Sequence, residues 1–326
     1  MTPAPDPQNL ILGVDIGGTK VAVGLVDAAG KIVAQDRKPM VANGTAEDAL
    51  QAVIRAIDSM SKAGEVRSIG ICAPGPLDPK TGIVLNPPNL PCWRNYPLAE
   101  EIATAYRVPV KLDNDANAAA LAEVRWGAAR GYRYVFYATI GTGIGTGIVF
   151  NGRIYHGNTG SAGEGGHVSI DYRGPICACG KPGCIEILAA GPAIGARARA
   201  KLAAQSSRSA MLDLAQGNVA EVTSETVGKA FAAGDPLAGE VLQETVELLT
   251  VWLGNTVDLL DPDVLVMGGG VAAMLRPFFD EMKAQLPKWC VNPRASEIPL
   301  VMALYGADAG IAGGAALVSP DAALSF

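Results

Sequence analysis

The sequence predicts an α/β protein of two similar lobes with a cleft between them. Two observations carry this. Apolar strands alternate with helical segments along the chain. A pattern of strand, glycine turn and two further strands opens near residue 10 and restarts at residue 133. At 326 residues the chain can bury a large core, and its length suggests two domains. Hydrophobic residues make up 49% and charged residues 18%, the balance of a globular protein. A net charge of −6 offers no basic footprint for nucleic acid. Residues 1–9 carry no positive charge and have three prolines, so no secretory signal of the usual form is expected. No apolar run reaches the roughly 18 residues a membrane span needs. A cytoplasmic chain with neither nucleic-acid nor membrane partners is expected.

In order, Leu10 to Asp15 and Val21 to Val26 read as a hairpin turning at Gly17-Gly18, with a third strand over Lys31 to Asp36. Glu47 to Ser61 has helical periodicity, with Thr45 as N-cap and Gly64 beyond its end. Ser68 to Cys72 is a strand, residues 81–96 a Pro-Asn loop holding Trp93, Leu98 to Tyr106 a helix and Val108 to Leu112 a strand. Asp113-Asn114-Asp115 ends that strand, and Ala116 to Trp126 is helical. Arg133 to Thr139, Thr146 to Phe150 and Arg153 to Tyr155 are strands around a turn at Gly141 to Gly145. Ten glycines fall between Gly141 and Gly166, where the chain must turn tightly. Helices are expected over Pro192 to Gln205, Ser224 to Ala233 and Pro236 to about Leu260. Val264 to Met267 is a strand, Gly268-Gly269-Gly270 a turn and Val271 to Leu286 a helix. Leu300 to Leu304 is the last strand, and Asp308 to Val318 an Ala/Gly-rich helix.

The stretch from Glu164 to Glu186 holds His167, Cys177, Cys179 and Cys184. One imidazole and three thiolates form the soft N/S set a structural zinc prefers, with no tetrahedral position left for water. A disulfide plus a leftover thiol is the alternative, but Cys72, Cys92 and Cys290 are scattered singly and argue against an oxidised protein. His156 lies outside the spacing and reads as a loop residue. A ligating histidine keeps a second ring nitrogen as donor. With Glu164 and Glu186 as acceptors beside it, such a wall suits a neutral polyhydroxylated molecule better than an anion.

Gly17-Gly18-Thr19-Lys20, Gly141 to Gly147 and Gly268 to Gly270 each follow an apolar strand, where backbone N–H groups make concave anion sites. None matches the Walker phosphate loop or the dinucleotide fingerprint. Asp15 leads into the first turn, placed to hold a metal through water, to orient phosphates or simply to cap the hairpin. Asp113, Asn114 and Asp115 are three capping-competent residues where one suffices. Capping by Asp113 or Asn114 leaves Asp115 for chemistry.

On these residues the chain resembles the ROK family (repressors, open reading frames and sugar kinases) of the actin-like ATPase superfamily. The likeness runs from Asp15-Ile-Gly-Gly-Thr19 through Leu112-Asp-Asn-Asp115, Glu164-Gly-Gly-His167 and the CxCGxxGCxE run at 177–186 to Gly268-Gly-Gly270. It implies two ribonuclease-H-like lobes: 10–116 as a small lobe, with a C-terminal helix at about 306–320 returning to it, and 117–305 as a large lobe carrying the zinc loop. It implies Asp115 as catalytic base, with Asn89, Asn114, Asp115, Glu164, His167 and Glu186 binding a hexose. ATP and Mg²⁺ would engage Asp15, Gly17, Gly18, Thr19, Lys20, Gly141, Thr142, Gly143 and Gly145, with Gly268, Gly269, Gly270 and Val271 on the adenosine side. His167, Cys177, Cys179 and Cys184 would hold zinc. Family repressors carry a winged helix ahead of the first strand, and the few residues before it here point to the kinase branch, as a homodimer. The expected activity is phosphorylation of a hexose 6-hydroxyl, glucose first. N-acetylglucosamine, N-acetylmannosamine and fructose are alternatives, and a non-catalytic sugar sensor or an actin-type structural ATPase the rivals from other classes.

Overall fold

The computed structural model describes residues 10–60, 66–204 and 208–320. Gly64, Ser61 and Gln205, named above at helix ends, lie outside the described residues. In chain order the elements are β1 (Ile11–Ile16), β2 (Lys20–Val26), β3 (Ile32–Pro39), α1 (Ala46–Asp58), β4 (Ile69–Ala73), β5 (Leu77–Asp78), β6 (Ile83–Val84), α2 (Leu98–Tyr106), β7 (Val110–Asn114) and α3 (Asp115–Arg125). The second series is β8 (Tyr134–Ile140), β9 (Ile144–Phe150), β10 (Arg153–Ile154), α4 (Ile185–Ala189), α5 (Gly191–Ala204), α6 (Ala210–Leu214), α7 (Ser224–Ala232), α8 (Pro236–Leu260), β11 (Val264–Gly268), α9 (Gly269–Leu275), α10 (Phe279–Gln285), β12 (Leu300–Met302) and α11 (Ala309–Val318).

Two five-stranded sheets result, ordered β3-β2-β1-β4-β7 and β10-β9-β8-β11-β12. The position-by-position match gives the duplicated sequence pattern a topological counterpart. In each, the hairpin at one edge is antiparallel (β2–β3, β9–β10) and the pair at the other edge parallel (β4–β7, β11–β12). The chain divides into two compact units, one of residues 1–135, 147–163 and 303–326, the other of 136–146 and 164–302.

In the first unit the sheet is covered on both faces, which explains why β4 is apolar throughout and β1 apolar but for Asp15, rather than alternating. One face packs Val14, Ile16, Val23 and Ile71 with Val53 and Ile57 of α1, Ile102 of α2 and the loop residue Trp93. The other receives α11, whose Ala/Gly composition lets it lie unusually close. A Cβ on Gly13 would strike the Ile311 carbonyl, and one on Gly70 the Gly314 carbonyl. Ala118, Leu121 and Ala122 of α3 close over the far side of α11 with Ala312 and Ala316. Below α3, the buried Glu123 carboxylate accepts from the N–H groups of Ala128 (2.7 Å), Leu304 (2.8 Å) and Tyr305 (3.2 Å). That ties the C-terminal segment to the helix. Burial is the main influence on Glu123 and raises its carboxyl above the usual range.

Helix starts follow local chemistry. Thr45 and Asp48 form a reciprocal capping box at α1, with Thr45 Oγ1 accepting from Asp48 N and Asp48 Oδ2 from Thr45 N. Asp235 caps α8, whose first residue is Pro236. In the second unit α8 sends Trp252, 1% exposed, into the core edge-on to Phe136. A burial of that size contributes about 1.5–3 kcal/mol. The helix expected over Val271 to Leu286 is broken: α9 and α10 are separated by a 3₁₀ turn at Arg276–Phe278. Pro277 has no N–H to donate and its ring clashes with the preceding turn. The Gly268–Gly270 stretch is likewise less a free turn than expected, for Gly268 ends β11 and Gly269 and Gly270 begin α9. The loop 81–96 contains β6, which pairs with β5 just ahead of the loop, a pairing the sequence reading did not expect.

Candidate functional site

In the first unit, β7 runs directly into α3, and the three polar residues at the junction take three different jobs. Asp113, 4% exposed, is engaged by both of its oxygens. Oδ1 accepts from Asn114 N–H (2.8 Å) and Asn117 Nδ2 (3.2 Å), and Oδ2 lies 2.7 Å from His156 Nε2. Asn114 is the N-cap, its Oδ1 accepting from Ala116 N–H (3.0 Å) and Asn117 N–H (3.3 Å). Asp115 opens the helix and is exposed, with Oδ1 accepting from Ala116 N–H at 2.7 Å. A carboxylate at a helix N-terminus is held against the positive end of the dipole. The loop residue Asn89 is exposed, and its backbone carbonyl lies where a Cβ on Gly18 would sit, 2.7 Å away. So the Pro-Asn loop rests on the Gly17-Gly18 turn, and that turn is closed by Gly17 N–H donating to the Lys20 carbonyl (2.9 Å). Thr19 and Lys20 are exposed. Asp15 is not in the turn. It sits in β1 opposite Cys72, whose Sγ donates to Oδ1 at 3.6 Å, and against Gly310 at the start of α11. Burial, the largest influence on it, pushes its carboxyl above the ordinary range.

In the second unit the ligating atoms of His167, Cys177, Cys179 and Cys184 all lie within 4.8 Å of one another. The Sγ atoms of Cys179 and Cys184 are 3.6 Å apart, and Cys177 Sγ is 3.7 Å from His167 Nδ1. A tetrahedral ion with bonds of about 2.3 Å spaces its sulfur ligands about 3.8 Å apart, so the four residues fit zinc. The loop is preformed by backbone pairing. Cys177 N–H donates to the Lys181 carbonyl (2.9 Å), Gly180 N–H to the Cys177 carbonyl (2.8 Å) and Ile185 N–H to the Val168 carbonyl (2.9 Å). Burial pushes the Cys184 thiol up to about 12, whereas the Lys181 N–H holds the exposed Cys179 thiol below its usual range. Coordination would overturn the first of these, because a metal-bound thiol is deprotonated.

Around the cluster, the 3₁₀ turn Gly165–His167 is pinned at Gly165, whose N–H donates to Thr146 Oγ1 (2.8 Å) and whose carbonyl accepts from Trp252 Nε1 (3.0 Å). The exposed Glu164 precedes it, its carbonyl accepting from His167 N–H. His167 turns Nδ1 toward Cys177 and, at 3.9 Å, toward Glu186 Oε1, which leaves Nε2 as the other nitrogen. Glu186, in the first turn of α4, is also bound to the 141–145 turn. Its Oε2 accepts from Ile144 N–H at 2.9 Å and leaves no room for a Cβ on Gly143. The metal loop and the second glycine turn are therefore one assembly, joined by this carboxylate.

A cavity of about 1000 Å³ opens in the same unit. Gly141 and Thr142 line it together with Gly270 and Val271, so two of the three glycine turns share a space. Gly143, Gly145, Gly268 and Gly269 are not among its lining residues. The rest of the wall comes from α5, α7 and α9, including Arg199, Ser224, Lys229, Phe231 and Met274, none of which the sequence reading singled out. No motif marks them, and only the packing of α7 beside α9 reveals them. His156 was missed for the same reason, its partner Asp113 being 43 residues away.

The model of the ROK family matches residues 11–320. A glucokinase from Thermotoga maritima is 32% identical over 313 residues, covering 96% of this chain and 98% of its own length. An N-acetylmannosamine kinase from Shigella flexneri is 31% identical over 315 residues, covering 95% and 99%. Among solved structures, a ROK family glucokinase from Streptomyces griseus, in complex with glucose and AMPPNP, superposes with a TM-score of 0.80 at 33% identity, covering 95% of this chain and 99% of that one. With a family match over nearly the whole length, a shared two-sheet topology and the His/Cys cluster in place, the chain belongs to the ROK family.

Proposed function

We propose that this protein is an ATP-dependent hexose kinase that transfers the γ-phosphoryl group to the 6-hydroxyl of glucose. The observation that carries the reading is the division of labour at 113–115. Asn114 does the capping and Asp113 the bracing, and the exposed Asp115 carboxylate at the start of α3, its Oδ1 oriented by the Ala116 N–H, is placed to take a proton. Phosphoryl transfer needs positioning and charge stabilisation more than covalent help. Asp115 accepts the proton of the attacking hydroxyl from about 3 Å. Asn114 keeps Nδ2 as a donor because its Oδ1 is spent on the cap. Glu186 Oε1, whose present contacts are the long ones to Cys177 Sγ (4.0 Å) and His167 Nδ1 (3.9 Å), and His167 Nε2 would take hydroxyl groups, as would Glu164 and Asn89.

The cavity bounded by Gly141, Thr142, Gly270 and Val271 is of a size for a nucleoside. The turns Gly17–Lys20 and Gly141–Gly145 each carry N–H groups suited to phosphate, and Asp15 would serve Mg²⁺, which would supply charge stabilisation to the transferred group. His167, Cys177, Cys179 and Cys184 would hold zinc, which supplies no chemistry when every position is taken by protein; it fixes the ring of His167 and the loop that carries Glu186. Glucose is preferred because the glucokinases lie among the relatives of highest identity. The test is a coupled ADP-release assay with ATP, Mg²⁺ and a panel of glucose, N-acetylglucosamine, N-acetylmannosamine and fructose. Glucose should give the highest kcat/KM. A higher value for N-acetylmannosamine would move the substrate, and no turnover on any sugar, with sugar binding retained, would make the protein a sensor.

A further inference from the structure

His156 is one of only two histidines in the chain, and the other is the candidate zinc ligand. It sits after β10 with its ring 27% exposed, and its Nε2 is 2.7 Å from Oδ2 of the nearly buried Asp113. Asp113 has already given Oδ1 to the Asn114 N–H and to Asn117 Nδ2. A carboxylate has only lone pairs to offer, so the hydrogen of the His156 contact belongs on Nε2. The Asn117 amide is oriented by the same carboxylate, and this leaves its own Oδ1 buried without a partner. A side chain held so at its oxygen's expense marks Asp113 as the dominant group of the junction. The other end of His156 is also occupied. Its carbonyl accepts from Ala162 N–H at 3.1 Å and closes the turn 156–162, two residues before Glu164.

We infer that His156 is a positioning residue: through Nε2–H it locks Asp113, and through Asp113 it fixes the β7–α3 junction that presents Asn114 and Asp115. Asp113 can orient the junction only if its second oxygen is held as well. With Oδ2 unheld, the carboxylate would pivot about Cβ, and the Asn114 N–H and Asn117 Nδ2 contacts would loosen together. His156 supplies that second hold, and its backbone bond to Ala162 makes the approach to Glu164 part of the same brace. Through Asp113 the effect falls on the geometry with which the junction presents the proton acceptor.

The kinetic part of this inference rests on the kinase reading; a spectroscopic part does not. In Gln the side-chain nitrogen reaches about as far as Nε2 of histidine, in Asn it stops short, and Leu has no donor. His156→Gln should hold kcat within about threefold of wild type. His156→Asn and His156→Leu should lower kcat about tenfold or more, with the sugar KM within about threefold. Equal kcat in all four proteins, or a His156→Gln kcat as low as that of His156→Asn, overturns the inference. Should His156→Leu fail to fold, the Gln and Asn pair decides. A long-range ¹H–¹⁵N spectrum of the histidine rings reads the tautomer directly, with His156→Gln identifying the resonance because only His167 remains. A proton on Nε2 is expected, and a neutral ring protonated on Nδ1 overturns the inference whatever the kinetics. Absence of turnover in the wild type on every sugar would remove the kinase reading while this spectrum still judged the brace.

Discussion

The β7–α3 junction and the 164–186 loop both present carboxylates, but they are held by different means. At the junction, a strand and a helix are continuous in the chain, and Asp113 and Asn114 satisfy backbone donors within four residues. In the loop, regular structure is short, and four side chains spread over 18 positions converge on one point. The first should tolerate loss of any ion and respond to single side chains. The second should fail as a unit when the ion is removed. Backbone-anchored geometry is local and stiff; ligand-anchored geometry is shared among residues and reversible.

The largest expected effect lies at the junction. Asp115→Asn should lower kcat by about 10²–10⁴-fold while sugar affinity by calorimetry stays near wild type. A variant with most of its kcat would dissolve the division of labour proposed there. Next comes removal of zinc by a chelator, or Cys179→Ser. Cys179 is exposed, so the substitution tests coordination rather than packing. Sugar KM should rise about tenfold or more and thermal stability should fall, with kcat less affected. Wild-type kinetics in a protein shown by metal analysis to be zinc-free would erase the contrast between the two regions. Gly143→Ala sharpens it, since the new Cβ would meet Glu186 Oε2 and push the carboxylate off the Ile144 N–H. A KM rise of roughly tenfold with retained zinc content would separate the carboxylate's position from the metal's presence. The smallest effect on stability is that of Asn114→Ala, which removes a cap worth about 1 kcal/mol and should lower Tm by about 2–4 °C, identically with and without zinc, while loss of the Nδ2 donor raises the sugar KM. A proton-release measurement completes the set. Because burial holds Cys184 near 12, zinc uptake at neutral pH must expel its proton, and apparent affinity should climb as pH rises.

Legibility followed sequence separation. The β1–β2 hairpin turned where Gly17-Gly18 required, and Thr45 capped α1. The metal ligands lie close in sequence, and they converge. Capping of α3 by Asn114 could be expected because an N-cap bonds only to the next few residues. The interruption at Pro277 was legible too, since a proline inside a helical run has no N–H to donate. What could not be read were contacts between distant positions: His156 with Asp113, the Glu123 carboxylate with Leu304 and Tyr305, and the wall that α5, α7 and α9 give the cavity.

By itself the sequence determined the order of the longer strands and helices, the Gly17-Gly18 turn, the Thr45 cap and the donor set of the metal loop, because each depends on backbone preferences or ligand chemistry within a short span. Only the tertiary structure decided that Glu186 belongs to both the metal loop and the 141–145 turn, and that α11 lies close enough to β1 and β4 to demand Gly13 and Gly70. It also made His156 a partner rather than a bystander. Such contacts form when burial of two apolar surfaces brings remote segments together, and no local pattern records which segments those will be.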